Sequence, residues 1–137
     1  MRILIAEDDP VSAKLLSRML ERYAEVTVTV NGEEAFDAFQ NAIESGQPFD
    51  LLFLDIMMPE VSGQETLAAI REYERIKGII GGDAAKVVMV TALDDGGNIY
   101  EAHRNDCVDY INKPIKKEIV IGILDRLGLI EADKPCR

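Results

Sequence analysis

Five short apolar runs alternate with five longer amphipathic ones along the chain, and this alternation constrains the fold more than any other feature. Ile3-Leu4-Ile5-Ala6, Leu51-Leu52-Phe53-Leu54 and Val87-Val88-Met89-Val90 are continuous apolar tetrads. A strand reads this way when both its faces are buried, because successive side chains point to opposite sides and each side meets a core. Val26-Thr27-Val28-Thr29-Val30 alternates, which predicts one polar face, and Val108-Asp109-Tyr110-Ile111 is mixed. Three central strands and two edge strands follow.

The intervening segments carry helical spacing. Val11, Leu15, Leu16, Met19 and Leu20 form one stripe, and Asp9-Pro10 places an N-cap acid before a proline at the first helical position. Ala35, Phe36, Phe39 and Ile43 mark a second helix over 32–43. Ser62-Gly63-Gln64-Glu65 is a capping-box pattern ahead of Leu67 and Ile70. A shorter helix is expected over 98–104, and a last one over 116–127, stopped by Gly128. Strand–helix alternation implies a parallel sheet covered on both faces, and right-handed crossovers leave few topologies. With the second and fifth runs at the edges, the expected fold is α/β and flavodoxin-like: a doubly wound (βα)5 unit whose five-stranded parallel sheet has the order 2-1-3-4-5. Residues 77–85 read as an extended loop, and 129–137 as a short frayed tail.

Composition narrows the function. At 137 residues, 47% hydrophobic and 29% charged, the chain has the profile of one globular domain. No apolar run approaches the ~20 residues that span a bilayer. The N-terminal apolar stretch is short and followed at once by acids, unlike a signal peptide, so a cytoplasmic protein without membrane insertion is expected. Asp plus Glu is 25 against 15 Lys plus Arg, a formal charge of −10. Such a surface repels phosphate backbones and anionic membranes, so nucleic acid is not an expected partner. Basic proteins and metal cations suit it better. Cys107 and Cys136 have no metal-ligand spacing and read as reduced thiols.

In a sheet of this order, ligands bind beyond the carboxyl ends of the strands, where strands one and three meet. Glu7, Asp8 and Asp9 follow strand one, and Asp55 follows strand three. Thr91-Ala92 follows strand four and Asn112-Lys113-Pro114 follows strand five. Glu7, Asp8 and Asp55 should therefore share a pocket, with Thr91 and Lys113 on its other side. Clustered carboxylates repel unless a cation joins them, and hard oxygen ligands with room for water suit Mg²⁺, with Mn²⁺ as a substitute. A lysine ammonium and a threonine hydroxyl opposite are what the remaining phosphoryl oxygens need. A carboxylate at the centre can attack phosphorus. The chemistry is Mg²⁺-dependent phosphoryl transfer to Asp55. Asp9 reads as an N-cap rather than a ligand.

Over about residues 2–128 the chain resembles the receiver domain of two-component response regulators. The resemblance rests on Ile3-Leu4-Ile5-Ala6-Glu7-Asp8-Asp9-Pro10, on Asp50 through Pro59 with Gly63, on Val90-Thr91-Ala92 and on Asp109-Tyr110-Ile111-Asn112-Lys113-Pro114. It implies a receiver domain over 1–128 without an output domain, as in stand-alone chemotaxis-type regulators. Asp55 would be the phosphoacceptor. Glu7 and Asp8 would serve Mg²⁺, Asp8 the more directly, with the Met57 carbonyl completing the protein ligands. Thr91 would bond the phosphoryl group and swing toward it, and Tyr110 would follow as the aromatic switch. Lys113 would pair with the phosphoryl group, before a cis bond to Pro114.

Glu7 stands where an Asp is usual, so its longer arm would reach the metal through water. Met57 and Leu93, two residues after Asp55 and two after Thr91, match the variable positions that tune hydrolysis of the phosphate in that family. Both are apolar, so neither can orient a water, and slow self-dephosphorylation is expected. The implied donor is a histidine kinase or histidine phosphotransfer protein, docking over the first helix, and the output is a downstream protein. A monomer is expected, with a phosphorylation-dependent dimer as the alternative state. The implied output face includes Tyr100, His103, Tyr110 and Ile119.

Simpler readings stand beside these. Lys14 and Arg18 form a solvated face, His103 is structural, Tyr110 is an edge-strand aromatic, and Met57-Met58 is local packing. Three other functions stand as alternatives. Haloacid-dehalogenase-type phosphohydrolases form an aspartyl phosphate but place an acid where Met57 stands. A receiver-like binding module would need no phosphorylation. A flavodoxin-like cofactor binder would need a phosphate-cradling loop in place of the acids after strand one.

Overall fold

The computed structural model describes residues 1–58, 60–91 and 108–130. The strands are β1 (Arg2–Ala6), β2 (Glu25–Thr29), β3 (Leu51–Asp55), β4 (Lys86–Thr91) and β5 (Asp109–Asn112). All pair in parallel, in the order β2-β1-β3-β4-β5. The described helices are α1 (Pro10–Leu20), α2 (Gly32–Glu44), α3 (Gly63–Lys77) and α4 (Lys117–Arg126), with a 3₁₀ turn at Gly81–Asp83. The helix expected over 98–104 lies outside the described residues, as do Leu93, Tyr100, His103, Cys107 and Cys136.

The apolar tetrads split their side chains between two cores, as strand alternation requires. Leu4, Leu52, Leu54, Val87 and Met89 meet Ala35 and Phe39 of α2 and Leu67 and Ile70 of α3. Ile3, Ile5, Phe53, Val88 and Val90 meet Leu16 and Leu20 of α1 and Val120, Ile123 and Leu124 of α4. β3 is buried along its whole length.

Local signals set the helix starts. Asp9 accepts from Val11 N–H, with Pro10 at the first helical position. Ser62 and Glu65 form the full capping box. Asn31 caps α2 by accepting from Glu34 N–H at 2.8 Å.

Two expectations change. β2 has no simple polar face: Thr29 is buried and Val28 is 44% exposed. The Thr29 hydroxyl donates to the Ile5 carbonyl at 2.8 Å, which satisfies it inside. The stretch 77–85 is not merely an extended loop. Gly78, at φ 75°, ends α3 in the left-handed conformation, and the 3₁₀ turn follows. Buried Glu74 then ties the loop back, accepting from Ala85 N–H at 2.7 Å and pairing with Arg71 at 2.7 Å.

Candidate functional site

The carboxyl ends of β1, β3, β4 and β5 converge on one acidic cleft. Glu7 follows β1, and its N–H donates to the Thr29 carbonyl at 3.0 Å, which extends the β1–β2 ladder by one residue. Asp55 ends β3 opposite Val90, and Ile56 N–H donates to the Val90 carbonyl at 2.9 Å. Glu7 and Asp55 are 4% and 3% exposed, whereas Asp8 is exposed. Carboxylate oxygens of Glu7, Asp8 and Asp55 all lie within 4.8 Å of one another.

Lys113 closes the cleft from β5. Its N–H donates to the Thr91 carbonyl at 2.7 Å, which fixes the two strand ends together, and the following bond to Pro114 is cis. Its ammonium lies 3.0 Å from Glu7 Oε1 and 3.3 Å from Asp55 Oδ2. Thr91 is fully buried at the end of β4, opposite Asn112. Met57 N–H donates to Asp55 Oδ1 at 3.1 Å, while its residue is 61% exposed. Thus each Asp55 oxygen already has a donor.

The electrostatics follow from burial and crowding. Burial first, then the neighbouring Asp55 carboxyl, push the Glu7 carboxyl up to about 7 from its ordinary 4.5. Lys113 and Asp9 N–H, which donates at 3.2 Å, pull the other way without winning. Burial alone would lower the Lys113 ammonium, but Glu7 and Asp55 together hold it above its ordinary value. Asp9 is kept below the usual carboxylate range by the Ser12 hydroxyl and Val11 N–H. These are cap contacts, and they separate Asp9 from the acidic trio.

Sequence reasoning brought Glu7, Asp8, Asp55, Thr91 and Lys113 to one end of the sheet, and the structure gathers them there. It did not find the Glu7–Lys113 ion pair, because which carboxylate a lysine reaches depends on the packed geometry. The sequence reads Glu7 only as reaching a metal through water. The motif contains Gly63, and the structure supplies its physical reason. A Cβ there would lie 2.3 Å from the Asp55 carbonyl oxygen, so only glycine lets α3 begin against the back of Asp55. Tyr110 lies on edge strand β5 and is 36% exposed, and Leu93 falls outside the described residues.

Chemically, the cleft offers a buried carboxylate held between an ammonium and a backbone N–H, beside two further acids. Three carboxylates within such reach fit a hard divalent cation with oxygen ligands.

Comparison with known proteins agrees with the geometry. The family model of the response regulator receiver domain matches residues 3–125. The two-component response regulator ORR42 of Oryza sativa subsp. japonica is 30% identical over 125 residues, covering 90% of this chain and 84% of that protein. The osmosensing histidine protein kinase SLN1 of Saccharomyces cerevisiae is 29% identical over 126 residues, and this chain spans only 10% of its length. Among solved structures, the receiver domain of sensor histidine kinase PA1611 from Pseudomonas aeruginosa, with a magnesium ion coordinated in its active-site cleft, superposes with a TM-score of 0.74. It is 25% identical, covering 91% of this chain and 94% of that one. The chain belongs to the response regulator receiver domain family, the phosphoacceptors of two-component signalling.

Proposed function

We propose that residues 1–128 act as a receiver in which Asp55 takes a phosphoryl group from a histidine kinase or histidine phosphotransfer protein. The observation that carries this reading is the setting of Asp55: 3% exposed, with Lys113 Nζ at 3.3 Å and Glu7 and Asp8 beside it. An Asp55 oxygen attacks phosphorus, the bond from phosphorus to the donor's imidazole nitrogen breaks, and the imidazole leaves with that electron pair. The product is an aspartyl acyl phosphate. Lys113 turns from the carboxylates to a phosphoryl oxygen, and the Thr91 hydroxyl donates to another. Thr91 and Tyr110 then carry the change to the output face, which includes Ile119, 50% exposed on α4.

Glu7, Asp8, Asp55 and the Met57 carbonyl are the groups that would hold Mg²⁺ or Mn²⁺. Bound there, the ion supplies charge neutralisation and polarisation of a phosphoryl oxygen. The magnesium in the cleft of the PA1611 receiver supports this. The donor docks over α1, where Val11 and Leu15, 75% and 45% exposed, share one surface with Lys14 and Arg18. Exposed apolar groups flanked by cations suit an apolar partner surface with acidic edges. Met57 offers no acid two residues after Asp55, which favours a stored phosphoryl group over turnover.

Intact-protein mass after incubation with acetyl phosphate tests the reading. One added phosphoryl group is expected with Mg²⁺, none with chelator, and none in Asp55→Asn. An adduct that survives in Asp55→Asn, or steady phosphate release without an adduct, would overturn it.

A further inference from the structure

Of the five methionines, Met57 is the one most open to solvent. It is 61% exposed, against 8% for Met58 and 0% for Met89, and Met1 and Met19 are half-buried. Oxidation of a thioether follows access to its sulfur. Met57 also stands at the rim of the cleft, since its N–H holds Asp55 Oδ1 at 3.1 Å. An unbranched side chain with three rotatable bonds, rooted there, can sweep across the mouth of the cleft.

We propose that Met57 is an oxidation site, and that its sulfoxide shortens the life of the phosphoryl group on Asp55. The inference rests on the reading of Asp55 as phosphoacceptor. The oxidant is a peroxide. A lone pair on Met57 Sδ attacks one peroxide oxygen, the S–O bond forms as the O–O bond breaks, and with hydrogen peroxide the second oxygen leaves as water. Sulfur is oxidised by two electrons and the peroxide is reduced by two.

The consequence comes from polarity. The thioether is a poor acceptor and cannot orient a water beside the acyl phosphate. The sulfoxide oxygen is a good acceptor on the same flexible arm. A water hydrogen-bonded to it is held where hydrolysis of the acyl phosphate begins. One such bond in the transition state corresponds to about a fivefold faster decay. The change is reversible, because sulfoxide reductases return the thioether.

The test compares the full chain before and after hydrogen peroxide, with dithiothreitol then restoring the thiols of Cys107 and Cys136. Peptide masses follow oxygen uptake at each methionine, and intact mass follows decay of the acetyl-phosphate-derived adduct. Met57 is expected to oxidise ahead of the other four, with decay about fivefold faster and recovery after sulfoxide reductase. In Met57→Leu the decay rate should no longer respond to peroxide. Met57→Gln, which carries a permanent acceptor, should decay faster than the unmodified protein without peroxide. Oxidation of Met57 no faster than of Met58 or Met89, or full oxidation with an unchanged lifetime, would overturn the proposal. If the untreated protein takes no phosphoryl group, the Asp55 reading fails and the lifetime effect with it. The peptide masses would still decide whether Met57 is the oxidation site.

Discussion

Replacing Glu7 by glutamine is expected to stabilise the metal-free protein at high pH. The Glu7 carboxyl is 4% exposed and lies 3.0 Å from Lys113 Nζ, yet burial and Asp55 raise its pKa to about 7 from 4.5. A carboxyl with a raised pKa in the fold binds its proton more tightly there than in the unfolded chain. Its contribution to stability is therefore fullest below pH 4.5 and is lost as pH rises through about 7. At about 1.4 kcal/mol per unit, the total loss is about 3 kcal/mol. Integration of the linkage relation gives about 1 kcal/mol of that loss at about pH 5 and nearly all of it by about pH 8.

Glutamine keeps the shape of the protonated acid and does not titrate. Urea unfolding in chelator across this range should show wild-type stability falling with pH and Glu7→Gln staying flatter. The variant should lead by about 3 kcal/mol at the alkaline end. Added Mg²⁺ should narrow the gap, because ligand binding stabilises the wild type by mass action and the variant lacks one carboxylate. Parallel pH profiles in chelator would refute the reasoning, since they would mean that Glu7 titrates normally in the fold.

Substitutions at three further positions test contacts beside the cleft and at the far end of α3. Gly63→Ala puts a Cβ 2.3 Å from the Asp55 carbonyl oxygen and 2.9 Å from Ile56 Cα. Neither is a flexible side-chain tip, so denaturant unfolding should show a loss of about 3 kcal/mol, together with reduced phosphorylation. Glu74→Ala removes an ion-pair partner of Arg71 and the acceptor of Ala85 N–H from a buried position. It should cost about 2–3 kcal/mol, with faster proteolysis in residues 78–85, while Glu74→Gln should cost less. Glu60 sits at φ 66°, a left-handed conformation that L side chains resist. Glu60→Gly should therefore raise the melting temperature by a few degrees, a gain on the order of 1 kcal/mol, without altering phosphorylation.

Much of this architecture is legible in the residues because it is set by burial and capping. Leu51 through Leu54 suit a strand covered on both faces, and that places Asp55 at its open end. Asp9-Pro10 and Ser62-Glu65 mark helix starts that the structure reproduces. What escaped depends on tertiary contact. Glu74 carries no local signal of burial, and it is buried where a loop eleven residues later presents Ala85 N–H to it. Val28 and Thr29 exchange the burial that alternation suggests, since Thr29 finds a carbonyl acceptor inside an edge strand. The pairing of Glu7 with Lys113 joins residues from opposite ends of the chain and has no local signature.

The central claim is that Asp55 itself carries the phosphoryl group. Borohydride reduces an aspartyl acyl phosphate to homoserine and leaves free carboxylates intact, so peptide mapping after reduction locates the acceptor directly. Homoserine at position 55 alone, formed with Mg²⁺ and absent with chelator, is the predicted result. Homoserine at Asp8, Asp9 or Asp50, or phosphate retained on a residue that borohydride does not reduce, would contradict it.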